Sequence, residues 1–544
     1  MKKFSFIERL KNIQQMQTDL FDLVIIGGGI TGAGAARDAA ARGMKVALIE
    51  THDFASGTSS RSSKLIHGGI RYLENMEFKL VFEALNERNR LFQMAPHLVH
   101  HLRFMIPLYQ NSRVGMTKMG LGMWLYDALA LFQAPELHER LNASQSMHRM
   151  PCLRGDQLKG SYIYSDGYMD DDRLVFETLR SAAQHGAICA NEVSATGAIF
   201  DAAGRITHVS AKDRLTGKDF RIQARHVISS VGPWTDELGE DLFKDWKKIL
   251  RPTKGVHITL AKDRLPLTSA VVMAAEKSDR IVFAIPRHEM IIIGTTDTDH
   301  KNTPEGVIAD RADIEYLLSV TEQYFPGAQI RESDIISSYA GVRPLVQDGS
   351  SSEGKTSREH VIFNDPRGVT FVAGGKYTTY RLMAQQVVDS ALKTFSVEDR
   401  IRFKPTDTTL PLNEWTSPEA YHQAFLAVAE LVGSTGRSNA EVRHFVERYG
   451  REAEEILPRY NGQWNMWQVE AAQAIDTTMC LNLTDFFARR VHLFLMDPRH
   501  GLQMMDDVAE VFQHLLRWTD VQTQAQKADF KAYIARELGW KTAP

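Results

Sequence analysis

Residues 21–50 contain the feature that most constrains the fold, a glycine-rich turn between a buried strand and a helix. FDLVIIGG at 21–28 is an apolar run typical of a parallel strand covered on both faces. The alanine-rich stretch that follows predicts a helix, and KVALIE at 45–50 predicts a second strand. This strand–helix–strand unit indicates an α/β fold with a parallel sheet.

Gly27, Gly29 and Gly32 have the GxGxxG spacing of a dinucleotide-binding turn. The first glycine permits the tight turn, the second lets a pyrophosphate approach the backbone, and the third lets helix and strand pack closely. The helix N-terminus adds partial positive charge. Glu50 ends the second strand, where an acid accepts hydrogen bonds from a ribose hydroxyl. A glycine-rich loop without a ligand is the alternative, but the complete unit favours a dinucleotide site.

Two further segments favour FAD over a nicotinamide dinucleotide. TSSRSSKLIHGGIRYLE at 58–74 is rich in hydroxyl and backbone donors, and a second strand–Gly-Gly–helix junction lies at Gly374 and Gly375. The flavin ring and its pyrophosphate require many such donors, whereas a simple nicotinamide enzyme would continue with further strand–helix units. For the serine-rich segment alone, a solvated loop is the alternative. The remaining residues that we expect at the cofactor are Thr58, Ser59, Ser60, Ser63, Lys64, Leu65 and Thr378.

The 544 residues exceed what one core usually holds, so we expect two or three domains. Strand-like runs at 256–300 predict a second sheet, and the helical pattern after residue 405, with Ser417 and Pro418 placed to begin a helix, predicts a helical C-terminal domain. A net charge of −3 gives no indication of nucleic-acid binding. Three well-separated cysteines exclude a disulfide framework or zinc ribbon and suit a reducing compartment; we expect no metal site.

No stretch reaches the roughly 18 to 20 apolar residues of a membrane span, so we expect the chain not to cross a membrane. Residues 1–17 lack the apolar run of a signal peptide, and Phe6, Leu10 and Ile13 indicate a short amphipathic helix. MTKMGLGMWLYDALALF at 116–132 is the most apolar stretch. Both segments are candidates for peripheral membrane contact, although such stretches are more often buried core or interface helices.

Several longer motifs occur in order between about residues 20 and 390: DLVIIGGGITGAGAARDAAARG, TSSRSSKLIHGGIRYLE, SSVGPW, IIGTTD, GVRPL and AGGKYTTYR. Together they resemble the FAD-dependent glycerol-3-phosphate dehydrogenases of the respiratory, aerobic bacterial type. LTDFFARRVHL at 483–493 is similar to the arginine-pair segment of that family's C-terminal domain. The resemblance implies an α/β fold of the D-amino-acid-oxidase-like superfamily, with a Rossmann-like FAD-binding domain, an interleaved β-rich substrate domain and an all-helical C-terminal domain.

The resemblance also suggests domain boundaries. We expect an N-terminal extension at 1–19, an FAD-dependent oxidoreductase region at 20–404 and the helical domain at 405–544. Within the oxidoreductase region, the FAD-binding domain would comprise about 20–80, 166–240 and 335–400. The substrate domain would comprise about 81–165 and 241–334.

The activity implied by the resemblance is oxidation of sn-glycerol 3-phosphate to dihydroxyacetone phosphate in glycerol catabolism, by hydride transfer to FAD, with electrons passed to a membrane quinone. The family pattern places Arg71, Tyr72, Arg343, Arg358 and Lys376 at the substrate. Arginine suits this task because its planar fork matches phosphate oxygens. The enzyme would be cytoplasmic, peripheral on the cytoplasmic face of the membrane, and a homodimer is compatible with the resemblance.

Hydride loss from the substrate's C2 requires that its C2 hydroxyl also lose a proton, and a histidine is the natural base. His257, in KGVHITL, occupies the matching family position, and strand alternation would put it on the same face as Thr259. A core histidine with a satisfied hydrogen bond is the competing explanation. Arg343 could instead stabilise the developing alkoxide.

Three other functions fit the same residues. A glycerol-3-phosphate oxidase would use the same pocket and pass electrons to oxygen, giving hydrogen peroxide; such relatives tend to carry an insertion, so 544 residues favours the dehydrogenase. A flavoenzyme for amines or hydroxy-carboxylates would use the same arginines to hold a carboxylate. A non-catalytic flavin-fold binding protein is the alternative outside the enzymes.

Overall fold

The computed structural model of the protein describes residues 4–275, 280–347, 359–435, 439–459 and 463–542. The strands of this part of the chain are β1 Leu20–Ile26, β2 Val46–Ile49, β3 Leu65–Ile66, β4 Val99–Tyr109, β5 Glu139–Asn142, β6 Leu158–Met169, β7 Ile188–Ala190, β8 Val193–Phe200, β9 Ile206–Asp213, β10 Asp219–Ser229, β11 Leu250–Ala261, β12 Ala270–Ala274, β13 Ile281–Arg287, β14 Met290–Gly294, β15 Thr298–Asp299, β16 Ile335–Val346, β17 His360–Asp365 and β18 Val369–Gly374.

The α-helices alternate with these strands and then follow them. They are α1 Phe6–Thr18, α2 Ile30–Ala41, α3 Phe78–Met94, α4 Met116–Leu129, α5 Ala143–Arg149, α6 Asp171–Gln184, α7 Thr235–Leu242, α8 Arg311–Tyr324, α9 Tyr380–Leu392, α10 Val397–Ile401, α11 Pro418–Thr435, α12 Asn439–Tyr449, α13 Ala453–Ile456, α14 Met466–Thr478, α15 Leu483–Asp485, α16 Leu493–Met496, α17 Met505–Leu516 and α18 Asp520–Glu537.

Sheet A contains the predicted strand–helix–strand unit. Its order is β17-β18-β10-β1-β2-β7, and the strands from β18 to β7 are parallel, while β17 pairs antiparallel at one edge and β8 and β9 extend β10. Both faces of β1 are buried, as its continuous apolar run requires. The predictions of a strand at 21–28, a helix after it and a strand at 45–50 are confirmed by β1, α2 and β2.

Helices cover both faces of sheet A. The alanines of α2 pack with α6 and α9 on one face, where small side chains let the helices approach closely. On the other face, α1 packs Ile13 and Met16 into the core, and its buried Arg9 donates to the carbonyl of Asn191 at 2.8 Å and to Asp213 at 2.6 Å. The predicted N-terminal helix is therefore present and docked on the sheet. Leu10, which we expected on its apolar face, is exposed.

Sheet B confirms the second sheet predicted at 256–300. It has the order β15-β11-β14-β13-β12-β4-β6-β3, with β16 beside β11 and β5 beside β6. All pairs are antiparallel except β4 with β12. Strand β16 belongs to this sheet, although the sequence suggested that residues 335–400 join the FAD-binding domain. A boundary just after residue 346 fits the pairing better, because β17 and β18 lie in sheet A.

After residue 405, every regular element that the structure describes is a helix, in agreement with the all-helical C-terminal domain. Helix α11 begins at Pro418, and the Ser417 hydroxyl accepts from the N–H of Ala420 at 3.0 Å, as predicted. Helices α14 to α18 enclose a core of their own. Among the described residues, no helix combines the length and apolar character that crossing a membrane requires. Cys152, Cys189 and Cys480 are free thiols.

Candidate active site

A cavity of about 660 Å³ separates the two sheets. The carboxyl ends of β1, β2, β10 and β18 line one side, and β3, β11 and β16 of sheet B line the other. Parallel sheets of this type bind ligands outside the carboxyl ends of their strands. The volume lies within the roughly 300–1,000 Å³ of small-molecule sites. The fold therefore creates one continuous site from segments far apart in the sequence.

The GxGxxG turn lies at the start of α2, against the cavity. Gly27 has a φ of +106°, in the left-handed region that favours glycine, and Gly29 is the N-cap of α2. A Cβ on Gly27 would lie 2.7 Å from the carbonyl oxygen of Ser230, and one on Gly32 would overlap the carbonyl oxygen of Gly27. The turn thus presents bare backbone and the N-terminus of a helix, which is the environment that a dinucleotide diphosphate requires.

Glu50 lines the cavity just after β2. Its carboxylate accepts from the N–H of Gly28 at 2.7 Å and from the N–H of His52 at 2.9 Å. Burial raises the pKa of Glu50, and these two donors oppose the rise. The acid predicted to meet a ribose therefore also ties the glycine turn to the end of the strand.

The serine-rich segment has two sides. Thr58, Ser59, Ser63 and Leu65 line the cavity as predicted, and the hydroxyl of Ser59 accepts from the N–H of Ile30 at 3.0 Å. Ser60 and Lys64 are not among the lining residues. Lys64 is fully buried, forms an ion pair with Asp171 and donates to the carbonyl of Ser60 at 3.3 Å.

Direct contact of Ser60 and Lys64 with a cofactor, predicted from composition, is therefore not supported by their positions. A lysine cannot remain charged in the interior without a partner, and Asp171 supplies one away from the cavity. Through this ion pair, Lys64 anchors the serine-rich segment on the side that faces away from the cavity.

The second glycine junction lies on the same side of the cavity as the first, at the carboxyl end of β18, with β10 between it and β1. Gly374 and Gly375 have φ values of +77° and +91°, and both line the cavity with Lys376 and Thr378. The hydroxyl of Thr378 accepts from the N–H of His67 at 3.2 Å, which joins this junction to the serine-rich segment. Both segments that indicated a flavin in the sequence thus meet at one site.

His257 lies on β11 between β14 and β16, and it lines the cavity with only 2% of its surface exposed. Its Nε2 is 2.8 Å from the Ser63 hydroxyl, and its ring stacks on Tyr339 with the ring centres 4.8 Å apart. Burial, then the charges of Arg343 and Lys64, lower the pKa of His257 well below its usual value. The imidazole is therefore neutral at neutral pH. Thr259, two residues further along β11, donates its hydroxyl to the carbonyl oxygen of Leu495.

Arg343 lines the cavity from β16, and surrounding oxygen atoms fix its guanidinium. Nη1 donates to Asp297 at 2.9 Å, Nη2 donates to the Thr295 hydroxyl at 2.9 Å, and both reach the carbonyl of Thr296. From the sequence we assigned no role to Thr296 or Asp297, and Thr295 was not singled out. The only sequence signal was their place in the motif IIGTTD.

Of the other substrate residues predicted from the resemblance, some line the cavity and others do not. Tyr72 lines the cavity, and the Lys376 ammonium lies 3.5 Å from the centre of its ring. Arg71 is half-buried and is not among the lining residues. Adjacent residues on the short 3₁₀ helix Ile70–Asn75 point about 120° apart, so the side chains of Arg71 and Tyr72 diverge. Arg358 lies outside the described residues.

Two family models match the chain. The model of the FAD dependent oxidoreductases matches residues 22–381, and the model of the C-terminal domain of alpha-glycerophosphate oxidase matches residues 419–523. Aerobic glycerol-3-phosphate dehydrogenase of Staphylococcus saprophyticus is 33% identical over 537 residues and 96% of each chain. The protein of the same name from Staphylococcus aureus (strain MRSA252) is 31% identical over 531 residues, 96% of this chain and 95% of its own.

Two solved structures are similar along much of the chain. Glycerol-3-phosphate dehydrogenase from Bacillus halodurans, complexed with FAD, has a TM-score of 0.79 and 28% identity, with 98% of each chain covered. L-alpha-glycerophosphate oxidase from Mycoplasma pneumoniae, with FAD bound, has a TM-score of 0.56 and 17% identity over 72% of this chain and 98% of its own. At that identity the second structure shows the fold alone.

Proposed function

Because this chain belongs to the FAD-dependent oxidoreductases, and within them to the aerobic glycerol-3-phosphate dehydrogenase family, we propose that it oxidises sn-glycerol 3-phosphate to dihydroxyacetone phosphate and passes the electrons to a membrane quinone. The observation that carries the proposal is the shared lining of one cavity by His257, Arg343 and Lys376, beside two glycine turns. A buried neutral base and fixed cations are what oxidation of a phosphorylated alcohol requires.

The lining residues suit FAD. Gly27, Gly29 and Glu50 would hold its diphosphate and ribose, while Gly32 does not line the cavity and would serve by letting α2 start close to the turn. The hydroxyls of the serine-rich segment and the second glycine junction would surround the remainder of FAD. When bound, FAD supplies the hydride acceptor; the protein must orient the substrate and receive its proton.

The phosphate of the substrate carries close to two negative charges at neutral pH, because its second pKa is about 6. Arg343 brings a fixed positive charge to the cavity wall, since Asp297, Thr295 and the carbonyl of Thr296 hold its guanidinium in one orientation. Lys376, above the ring of Tyr72, supplies a second cation at the same cavity. The two cations together favour a phosphate dianion over an uncharged polyol.

His257 is the candidate base for the C2 hydroxyl. Its lowered pKa keeps the imidazole unprotonated, and the Ser63 hydroxyl and the Tyr339 ring fix its orientation. Ser63 was predicted to contact the cofactor, and its hydrogen bond to His257 supports a second role in aligning the base. We retain Arg343 as the group that stabilises negative charge on the substrate oxygen.

Anaerobic absorbance spectroscopy tests the substrate. Glycerol 3-phosphate should bleach the yellow flavin of the purified protein, whereas glycine and 2-hydroxy acids should not, because they lack the phosphate dianion. Bleaching by an amine or a hydroxy-carboxylate alone would contradict the proposal. A protein that stays colourless after refolding with FAD would support the non-catalytic binding protein.

The electron acceptor needs a separate experiment. We expect turnover to reduce a quinone analogue faster than it forms hydrogen peroxide in air. Stoichiometric peroxide with slow quinone reduction would instead indicate the oxidase.

Access to a quinone is supported by an apolar patch on the surface. Helix α4, within the predicted 116–132 segment, packs against α3 and the helix Ile70–Asn75. Exposed apolar side chains lie on these elements and the loop after α4: Met76, Phe78, Phe82, Leu121, Trp124, Leu131 and Phe132. We propose that this apolar patch rests on the membrane surface, because exposed apolar and aromatic groups of this kind enter the interface of a bilayer.

Vesicle co-sedimentation tests the membrane contact. The double variant Leu121→Ser/Trp124→Ser should lose most binding to anionic vesicles and keep flavin bleaching by glycerol 3-phosphate. Val521→Ser, which removes an equally exposed apolar side chain on α18, serves as the control and should bind as before. Unchanged binding of the double variant would contradict the proposal.

A further inference from the structure

Residues 51–64, called here the cofactor segment, have one side on the cavity and the other on the C-terminal domain. Its hydroxyl-bearing residues other than Ser60 line the cavity, whereas Asp53, Phe54 and Lys64 are buried. The segment has little regular structure of its own: it contains a single 3₁₀ turn, and Ala55 and Lys64 have left-handed backbone conformations. Its shape must therefore be set by what it contacts.

The first contact of the cofactor segment with the C-terminal domain is an ion-pair cluster at Asp53. Its carboxylate accepts from Arg490 at 2.7 and 2.8 Å and from Arg489 at 2.8 Å. Both arginines belong to the π-helical turn Phe486–Arg490. Arg490 also donates to the hydroxyl and carbonyl of Thr478, so its guanidinium is anchored within the C-terminal domain. Despite burial, the two guanidinium groups lower the pKa of Asp53.

The second contact involves Arg61, which itself lines the cavity. Its guanidinium meets both carboxylate oxygens of Glu537, at 3.0 and 3.3 Å, and donates to the carbonyl of Ala340 at 3.0 Å. Glu537 is the last residue of α18 and is fully buried. The backbone carbonyl of Glu537 also accepts from Ser338 of β16, the strand that carries Arg343.

A third contact runs through α6. Lys64 pairs with Asp171, and the neighbouring Asp172 accepts from His492 at 2.6 Å. Asp53 and Arg61 of the cofactor segment therefore form ion pairs directly with the C-terminal domain. Lys64 is connected to that domain indirectly, through Asp171 and the neighbouring Asp172 of α6. Buried charges are expensive unless paired, so these contacts specify one conformation of the segment.

We propose that the C-terminal helical domain acts as the positioning element for FAD, in that Arg489, Arg490 and Glu537 hold the cofactor segment in the conformation that accepts the cofactor. The proposal rests on the FAD cofactor of the family and not on the substrate or the electron acceptor. Arg489, Arg490 and Glu537 are positioning residues, since they act on FAD through Asp53 and Arg61.

The test is FAD affinity of the apo-protein, measured by quenching of flavin fluorescence on titration. Glu537→Gln keeps the shape of the side chain and removes its charge, and Arg61 keeps its bond to Ala340, so the fold should survive. We expect the dissociation constant for FAD to rise at least 10-fold. Glu537→Asp, which retains the charge, should recover part of that loss.

Glu452→Gln is the matched control. Glu452 is a buried acid of the C-terminal domain that pairs with Arg180 of α6, away from the cofactor segment. Glu452→Gln should lower the melting temperature of the apo-protein as much as Glu537→Gln does. Its dissociation constant for FAD should stay within 2-fold of the wild-type value. Equal losses of FAD affinity in both variants, or no loss in Glu537→Gln, would overturn the proposal.

Hydrogen exchange of the apo-protein gives an independent measurement. In Glu537→Gln, the amides of residues 51–64 should exchange faster than in the wild type, whereas those of β1 and α2 should be unchanged. Unaltered protection of residues 51–64 would contradict the proposal even if the affinity changed. Bleaching by glycerol 3-phosphate is measured separately, so failure of the proposed substrate leaves this test intact.

Discussion

At the scale of single residues, the role of His257 as the base can be tested by substitution. Replacing His257 by Asn removes the proton acceptor, and we expect the anaerobic rate of flavin reduction by glycerol 3-phosphate to fall about 10²–10⁴-fold with unchanged FAD content. The control is His226→Asn, because His226 is equally buried but bonds Thr370 in sheet A. A rate within about 3-fold of the wild type would exclude His257 as the base.

The pH dependence of the same rate follows from the pKa of His257. Because that pKa lies well below 6.5, the imidazole stays neutral and competent from pH 8 down to pH 6.5. Stopped-flow rates at saturating substrate should be constant over this range and fall only at lower pH, as the base becomes protonated. An acidic limb centred at or above pH 6.5 would disagree with the burial of this histidine.

Arg343 and Arg71, which the resemblance assigned to the same task, should differ. Arg343 lines the cavity and Arg71 does not. Loss of a charged hydrogen bond costs about 1.5–3 kcal/mol, so Arg343→Gln should lower kcat/KM about 10–100-fold. Arg71→Gln should change it less than about 3-fold in the same steady-state assay. The reverse order would restore the assignment made from the sequence.

At the scale of elements, the start of α2 can be tested by adding one methyl group. A Cβ on Gly32 would overlap the Gly27 carbonyl, so Gly32→Ala must push α2 away from β1 and should abolish retention of FAD. Gly122→Ala is the control, because a Cβ there meets nothing within 4 Å and alanine favours a helix by about 1 kcal/mol. Flavin content and melting temperature of the purified variants are the measurements.

The elements that the sequence predicted correctly are those whose signals are local. β1, α2 and β2 follow from apolar runs and glycine spacing, and the start of α11 follows from Ser417 and Pro418. The sequence did not indicate that β16 pairs with β11 in sheet B, because hydrogen-bond partners of a strand are not encoded in its own periodicity. The ion pair of Lys64 was likewise not visible in the sequence, since its partner Asp171 lies 107 residues away.

At the scale of the whole molecule, buried ion pairs should make stability depend on pH. Although burial opposes it, Arg180 and Arg173 lower the pKa of Glu177 to about 2 from an ordinary 4.5. A carboxylate with a depressed pKa stabilises the fold above its unfolded pKa and loses that contribution as the pH falls. We therefore expect the free energy of unfolding to decrease between about pH 4.5 and pH 2.

Urea unfolding at several pH values checks this expectation. Glu177→Gln should lower the free energy of unfolding at pH 7 by about 1.5–3 kcal/mol, because Arg173 loses its nearest carboxylate and Arg180 keeps only Glu452, and should flatten the acid dependence. Glu322→Gln on the exposed face of α8 should behave as the wild type. An unchanged acid dependence in Glu177→Gln would show that other carboxylates dominate.

The sequence by itself determined the dinucleotide turn, the two sheets, the helical C-terminal domain and the chemical types gathered at the site, because turns, caps and periodicity act over a few residues. Only the tertiary structure decided which groups meet. Ser63 bonds His257 across 194 residues, and Asp53 bonds Arg490 across 437. Such pairs form because burial forces each charge or donor to find a partner, and the identity of that partner depends on how the sheets and helices pack.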